Sequence, residues 1–534
     1  MGRGVALHRA LEELAELRAR YASPGSEAAV EKQHGKKKLT VPERLDLLFD
    51  PDAPRFEVGT FAAMDQYEEH GDITSAGVRT VVGSVSGHAC IVIANDSMVK
   101  SGTWFPLTIK KILRAQEIGM ENRLPLVYLV DSGGLFLPLQ DESFPDRDHA
   151  GRIFYNNARL SAEGVPQIAA VLGPCVAGGA YIPALCDEIL MVKGTSGIFL
   201  GGPHLVEAAI GEKADIEELG GASTHTRLSG MADYEDEDEP SCLERVRRLA
   251  ALWPRPPSTR YAVGDAAQPA RTPASIVDVI PEDTSKAYDV RALFECIVDD
   301  GSFEEYKASY GQTLVTGTAR IDGRAVGVVA SQREVVRDGK GEMQVGGVIY
   351  SDAADKAARF VLDCNQKQTP LVFFQDVTGF MIGTRAEKGG IIKDGAKLVN
   401  AVANSRVPKL TVVLGNSYGA GNYALCGRAY GPRFMVAWPT AEIGVMAADN
   451  AAETMLAIER GKTGGALEGD EETALRERIK ERYERALSPY HAASNLWVDA
   501  IIDPRETRAT LAQLLDVACA HDPPERFAVG VFQV

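Results

Sequence analysis

The sequence predicts an α/β protein built from one module used twice. Apolar, β-rich runs such as Ala89-Cys-Ile-Val-Ile-Ala94 and Leu126-Val-Tyr-Leu-Val130 alternate with longer helical patterns such as residues 107–120, and alternation of this kind marks a sheet with crossover helices. Leu124-Pro-Leu-Val-Tyr-Leu-Val-Asp-Ser-Gly-Gly134 is matched by Thr369-Pro-Leu-Val-Phe-Phe-Gln-Asp-Val-Thr-Gly379, and Val165-Pro-Gln-Ile-Ala-Ala-Val-Leu-Gly173 by Val407-Pro-Lys-Leu-Thr-Val-Val-Leu-Gly415. The offsets are 245 and 242 residues, in the same order, so the chain is read as duplicated. Its 534 residues also exceed what one hydrophobic core usually organises.

The chain opens with Leu7, Leu11, Leu14 and Leu17 at helical spacing among Glu12, Glu13 and Glu16. This predicts an amphipathic acidic helix and not the apolar core of a signal peptide. A polar, lysine-rich stretch, 33–38, follows, so residues 1–35 are taken as an N-terminal helix with its linker. Thr40 and Glu43 have capping-box spacing with Pro42 near the first helical position, which starts a second helix. The first module is assigned to 36–265 and the second to 266–534. The acidic run 233–239 and the proline-rich segment 253–273 place the linker at about 240–275.

Composition removes several classes of function. Hydrophobic residues make up 45% and charged residues 25%, as in ordinary globular chains. A net charge of −17 argues against a broad basic face for nucleic acid. The eight cysteines form no CxxC pair, which argues against a zinc ribbon or a secreted disulfide framework and for a reducing compartment. No apolar run reaches about eighteen residues, so no membrane-spanning helix is expected.

The chemistry is expected at two turns. The strand 168–172 runs into Gly173-Pro-Cys-Val-Ala-Gly-Gly-Ala180, and the strand 410–414 into Gly415-Asn-Ser-Tyr-Gly-Ala-Gly-Asn422, each followed by a helical pattern. Small residues let a ligand approach exposed N–H groups at a helix start. Such amides can form an oxyanion hole without any protein proton transfer. Gly178, Gly179 and Ala180 are the candidates in the first turn, and Gly419, Ala420 and Gly421 in the second; the competing reading is tight helix–strand packing. His149 in a charged loop, Ser132 outside a nucleophile elbow, and His225 without a metal-spaced partner are not assigned catalytic roles.

These motifs resemble the acyl-CoA carboxylase β-subunit family, whose two halves are each crotonase-like, of the ClpP/crotonase superfamily. The resemblance runs from about Lys38 to Val529-Gly-Val-Phe532 and rests on Phe144-Pro-Asp-Arg-Asp-His149 with Gly151-Arg-Ile-Phe-Tyr-Asn156, Ala177-Gly-Gly-Ala180, Phe199-Leu-Gly-Gly-Pro203, Lys393-Asp-Gly-Ala-Lys397, and Gly419-Ala-Gly-Asn-Tyr423 with Cys426-Gly-Arg-Ala-Tyr430. It is nearest to the 3-methylcrotonyl-CoA and geranyl-CoA carboxylase branch.

The resemblance implies transfer of a carboxyl group from carboxybiotin to an acyl-CoA, with the biotin ureido nitrogen taking the substrate proton. Gly178 and Gly179 would hold the thioester enolate oxygen, and Gly419 and Ala420, with Gly421, the biotin carbonyl. No biotin-acceptor Met-Lys-Met or ATP-binding loop is present, so a biotin carboxylase/carrier α-subunit is the expected partner, in an α6β6 assembly around a β hexamer. A cytoplasmic location, or the mitochondrial matrix in a eukaryote, is implied. The phosphates of coenzyme A need cations. Lys100, Lys110, Lys111 and Arg114 are the cluster available, with Lys100 and Lys110 as the ligands chosen; the alternative is a solvated helix face.

Two departures bear on the acyl group. Ala150 stands where methylcrotonyl-type members have Phe, and Gly133-Gly-Leu-Phe-Leu-Pro138 replaces their Gly-Gly-Ala-Asn-Leu-Pro. Exchanging a phenyl for a methyl opens volume, which Leu135 and Phe136 could refill. A decarboxylase of the glutaconyl-CoA type, running the same half-reaction backwards, is the alternative reading.

Overall fold

The computed structural model describes residues 6–211, 213, 215–255, 259, 261–283, 286–462, 469–521 and 527–528; the quoted 529–532 segment lies outside them. Two compact units form, one from residues 17–257 with 494–496, the other from 1–16 with 258–493 and 497–534.

In the first unit an eight-stranded sheet runs, in spatial order, through Phe56–Val58, Val78–Val85, His88–Asn95, Leu126–Ser132, Gln167–Val176, Glu188–Val192 and Tyr234–Asp236, with Gly197–Phe199 pairing onto Gln167–Val176. The first two pairings are antiparallel and those that follow are parallel. The middle strands are buried on both faces, which is why they read as unbroken apolar runs.

The second unit repeats this plan. Glu304–Glu305, Leu314–Ile321, Arg324–Ser331, Leu371–Val377, Lys409–Tyr418, Phe434–Ala437 and Ala500–Ile501 follow in order, with Glu442–Gly444 pairing onto Lys409–Tyr418. Again two antiparallel pairings precede parallel ones. Even the irregularity recurs: the register shifts between Val130 and Ser132 in one unit and between Gln375 and Val377 in the other, so Asp131 and Asp376 occupy matching bulges. The fold is the duplicated crotonase-like α/β fold that the sequence predicts.

Local signals behave as their chemistry requires. The N-terminal pattern is the helix Leu7–Ala22, with Leu7 and Leu14 buried. Thr40 and Glu43 close a complete capping box on Val41–Leu48. The expected linker is corrected at its start: Glu239–Ala250 is a helix whose Cys242, Leu243, Val246 and Ala250 belong to the first unit's core, together with Trp253. Its acids are engaged within that unit. Asp236 pairs with Arg245, and Glu239 with the fully buried Arg44.

Candidate active site

In both units the strand that carries the candidate turn ends on a residue with left-handed backbone. Ala177 has φ 54° and Gly419 has φ 52°, and the 242-residue offset makes them equivalent. The chain then enters a short helical turn, Ala177–Ala180 leading into Tyr181–Ala184 in the first unit and Gly419–Ala424 in the second. N–H groups in a first helical turn have no intrahelical acceptor. The sequence reading paired Gly178 and Gly179 with Gly419 and Ala420; the backbone pairs them with Ala420 and Gly421, one residue along.

Each turn rests on a buried bulge acid. A Cβ on Gly173 would lie 2.0 Å from Asp131 Oδ1, and one on Gly415 2.8 Å from Asp376 Oδ1, so both glycines are required by the carboxylate above which the strand passes. Asp131 is held by Lys38 Nζ at 2.5 Å and Arg44 at 3.2 Å. Burial pushes the Lys38 amine below its usual range against the pull of Asp131. Asp376 accepts hydrogen bonds from Tyr288 Oη at 3.1 Å and the Asn416 amide at 3.0 Å, with Arg333 Nε 3.3 Å away. Burial raises the Asp376 carboxyl above its ordinary value. These charges fix the bases of the turns.

The turn glycines themselves differ. A Cβ on Gly178 would meet only Phe154, at 3.6 Å, and one on Gly179 only Cys175, Trp104 and Ser132, at 3.7, 3.8 and 3.9 Å. These are ordinary contacts, and neither residue has positive φ. On Gly421, by contrast, a Cβ would press to 2.8 Å on Val377 Cγ2 and 3.2 Å on Gly379 Cα, and Gly419 needs its positive φ. The second turn's glycines answer to local packing; those of the first leave space that nothing in their own unit requires.

Ala180 is buried behind the first turn. Ala150 is buried at the start of the helix Ala150–Ala162, its N–H donating to Ser143 O at 3.0 Å. Leu135 is half-buried and bridges to Trp104. Phe136 stacks on Phe105 with centroids 4.2 Å apart and meets His70 edge-on.

The cation cluster does not form one face. Lys111 is fully buried, its amine donating to Ser75 O, and Arg114 is buried beside Glu117. Lys100 and Lys110 are exposed, and Lys110 donates to Asn495 O. Ser132 donates to Gly102 O, and His225 is bonded to Ile198 O and Ser229, so both are engaged structurally. Sequence reasoning missed the rings of Trp104 and Phe154 against the first turn; the spacing of Phe154 one helical turn after Ala150 was the available signal.

Residues 32–527 match the carboxyl transferase domain family. The chain is 46% identical to the biotin-dependent 3-methylcrotonyl-coenzyme A carboxylase beta1 subunit of Mycobacterium tuberculosis, covering 98% of this chain and 97% of that one. It is 42% identical to the mitochondrial methylcrotonoyl-CoA carboxylase beta chain of Dictyostelium discoideum, over 96% and 85%. Among solved structures, the geranyl-CoA carboxylase beta subunit of P. aeruginosa matches at 35% identity and a TM-score of 0.86, over 99% and 96%. The chain belongs to the carboxyl transferase family. It is an enzyme, a carboxyltransferase of the class to which these biotin-dependent acyl-CoA carboxylase subunits belong.

Proposed function

We propose that this chain is the carboxyltransferase subunit of an acyl-CoA carboxylase acting on a branched α,β-unsaturated acyl-CoA of the 3-methylcrotonyl or geranyl type. The observation that carries the reading is the pair Gly178 and Gly179, small residues that neither backbone conformation nor local packing demands. A ligand's close approach supplies the missing reason.

Carboxybiotin, carried on a partner α-subunit, supplies the carboxyl group and the proton acceptor. The Gly178 and Gly179 amides donate to the thioester oxygen as it becomes an enolate, where pre-oriented donors stabilise the developing charge most. The amides of the second turn, Gly419 to Gly421, donate to the biotin carbonyl. A cavity of about 1030 Å³ in the second unit is lined in part by Met343, Tyr350, Met381 and Ile382, and Gly379, two residues before Met381, packs on Gly421. Its size suits a bicyclic group on a flexible arm, with Met343, Met381 and Ile382 offering apolar contact among acidic neighbours such as Asp352 and Asp394. Lys100 and Lys110 are the exposed cations assigned to the coenzyme A phosphates. The partner is a biotin carboxylase/carrier subunit in an α6β6 assembly, in the cytoplasm or the mitochondrial matrix.

The test is carboxylation by the chain mixed with its biotin carboxylase/carrier partner, ATP, labelled bicarbonate and propionyl-, 3-methylcrotonyl- and geranyl-CoA. Label in a branched enoyl-CoA supports the reading. Loss of CO2 from glutaconyl-CoA, with no label fixed, transfers it to a decarboxylase. Ala150→Phe is expected to lower activity on geranyl-CoA relative to 3-methylcrotonyl-CoA; unchanged selectivity removes Ala150 from the acyl pocket.

A further inference from the structure

On the helix Ala150–Ala162, Phe154 lies one turn beyond Ala150, so the two share a face. Phe154 is half-buried, and its Cζ comes within 3.6 Å of the point where a Gly178 side chain would begin. Two further rings pack near it, Trp104 with centroids 6.3 Å apart and Tyr181 at 5.8 Å. The three are not alike. Trp104 is fully enclosed, with Cζ2 3.8 Å from the corresponding point at Gly179, and its indole N–H finds no acceptor among the described residues. Tyr181, just past the turn, is 48% exposed. Phe154 thus adjoins one enclosed ring, Trp104, and one exposed ring, Tyr181, beside the candidate oxyanion amides.

The second unit keeps one of these rings and not another: Tyr423, the counterpart of Tyr181, is also 48% exposed and stacks on Tyr430 at 5.6 Å. By the 242-residue offset the counterpart of Phe154 is Ala396, which is exposed. What sets the first turn apart is the ring at Phe154, which has no aromatic counterpart at 396.

We propose that Phe154 is a specificity-determining residue that limits the length of the acyl chain seated at the first turn. The inference rests on the carboxyltransferase reading. Removing the phenyl ring empties the space it fills next to Gly178, which a longer isoprenoid chain can occupy. Apolar pockets discriminate by about 10–200-fold per methylene, so a ring-sized vacancy moves selectivity measurably.

The experiment compares wild type, Phe154→Ala and Phe154→Leu, each assembled with the biotin-carrying partner, by kcat/KM on 3-methylcrotonyl-CoA and geranyl-CoA. In Phe154→Ala the geranyl to methylcrotonyl ratio is expected to rise at least ~10-fold, chiefly through KM, and Phe154→Leu to follow by a smaller amount. A wild type inactive with both acyl-CoAs sinks the proposed substrate class itself. Active wild type with an unchanged ratio in either folded variant overturns the role of Phe154. If the alanine variant fails to assemble, the leucine variant decides.

Discussion

The two candidate turns share a backbone and differ in why they are small. Ala177 and Gly419 adopt the same left-handed conformation at the end of matching strands, above matching bulge acids. Yet the first turn places alanine where strain is greatest and glycine where nothing local requires it, whereas the second places glycine at the strained position and again where Val377 presses. Duplication preserved the shape, and the side chains then diverged according to what each turn receives. A glycine without a structural reason is a better pointer to a ligand than one with φ above zero.

The largest expected effects test the shared foundation. Asp131→Ala leaves the buried Lys38 without its carboxylate and Arg44 with Glu239 alone, and breaking a buried pair of this kind costs about 3–5 kcal/mol. Asp376→Ala removes an acceptor of three neutral donors, one from Tyr288 and two from Asn416, and one Arg, and is expected to cost about 1–3 kcal/mol. Urea unfolding of the two variants checks the order; equal losses dissolve the distinction between the two foundations. Next, Gly178→Ala is expected to leave the unfolding free energy within about 0.5 kcal/mol of wild type while kcat/KM falls ~100-fold. The amide is kept, but the added methyl holds the thioester oxygen away from it, an effect on the scale of one oxyanion donor put out of reach. Gly421→Ala should do the opposite first, destabilising by about 1–3 kcal/mol through overpacking on Val377.

How much of this was legible follows from which interactions are local. The Thr40–Glu43 capping box and the amphipathic first helix are written within a few residues, and the structure carries both. The duplication was legible because strand, turn and helix recur in one order. Charges misled wherever their partners are distant in sequence. Lys111 reads as part of a phosphate-binding cluster or a solvated face, but it is buried with its amine on Ser75 O, 36 residues away, and the acidic run 233–239 reads as the approach to a linker while Glu239 closes on Arg44 from 195 residues away. Phe154 stood in a quoted motif, but that it touches the first turn depends on tertiary packing.

A smaller effect comes from a lysine buried twice. Lys111 and Lys356, 245 residues apart, are both fully enclosed, each amine with one backbone carbonyl, Ser75 O and Lys307 O. Burial pulls their pKa values down to about 7 and about 8 from 10.5. The unfolded chain therefore binds a proton that the native state lacks between the two values, so stability rises with pH across about 7 to 10.5 for Lys111, and the penalty is full below about 7. Lys111→Met is expected to stabilise the protein at neutral pH and to remove up to about 1.4 kcal/mol per pH unit of that slope. Urea midpoints at a series of pH values measure it. An unchanged slope means the amine keeps its proton on folding.

The smallest effect sharpens the comparison most directly, because it exchanges the one residue by which the strained positions differ. An alanine in left-handed backbone costs roughly 1–2 kcal/mol relative to an unstrained one, offset in part by glycine's greater freedom when unfolded. Ala177→Gly should therefore stabilise by up to about 0.5 kcal/mol. Gly419→Ala should destabilise by about 1 kcal/mol, with the added Cβ 3.1 Å from Val445 O. Both changes lie before the paired small residues 178–179 and 420–421, so neither should move acyl-CoA selectivity. Opposite shifts in midpoint at constant selectivity mean that the two turns keep one backbone shape; shifts of the same sign mean that only one of them is left-handed in solution.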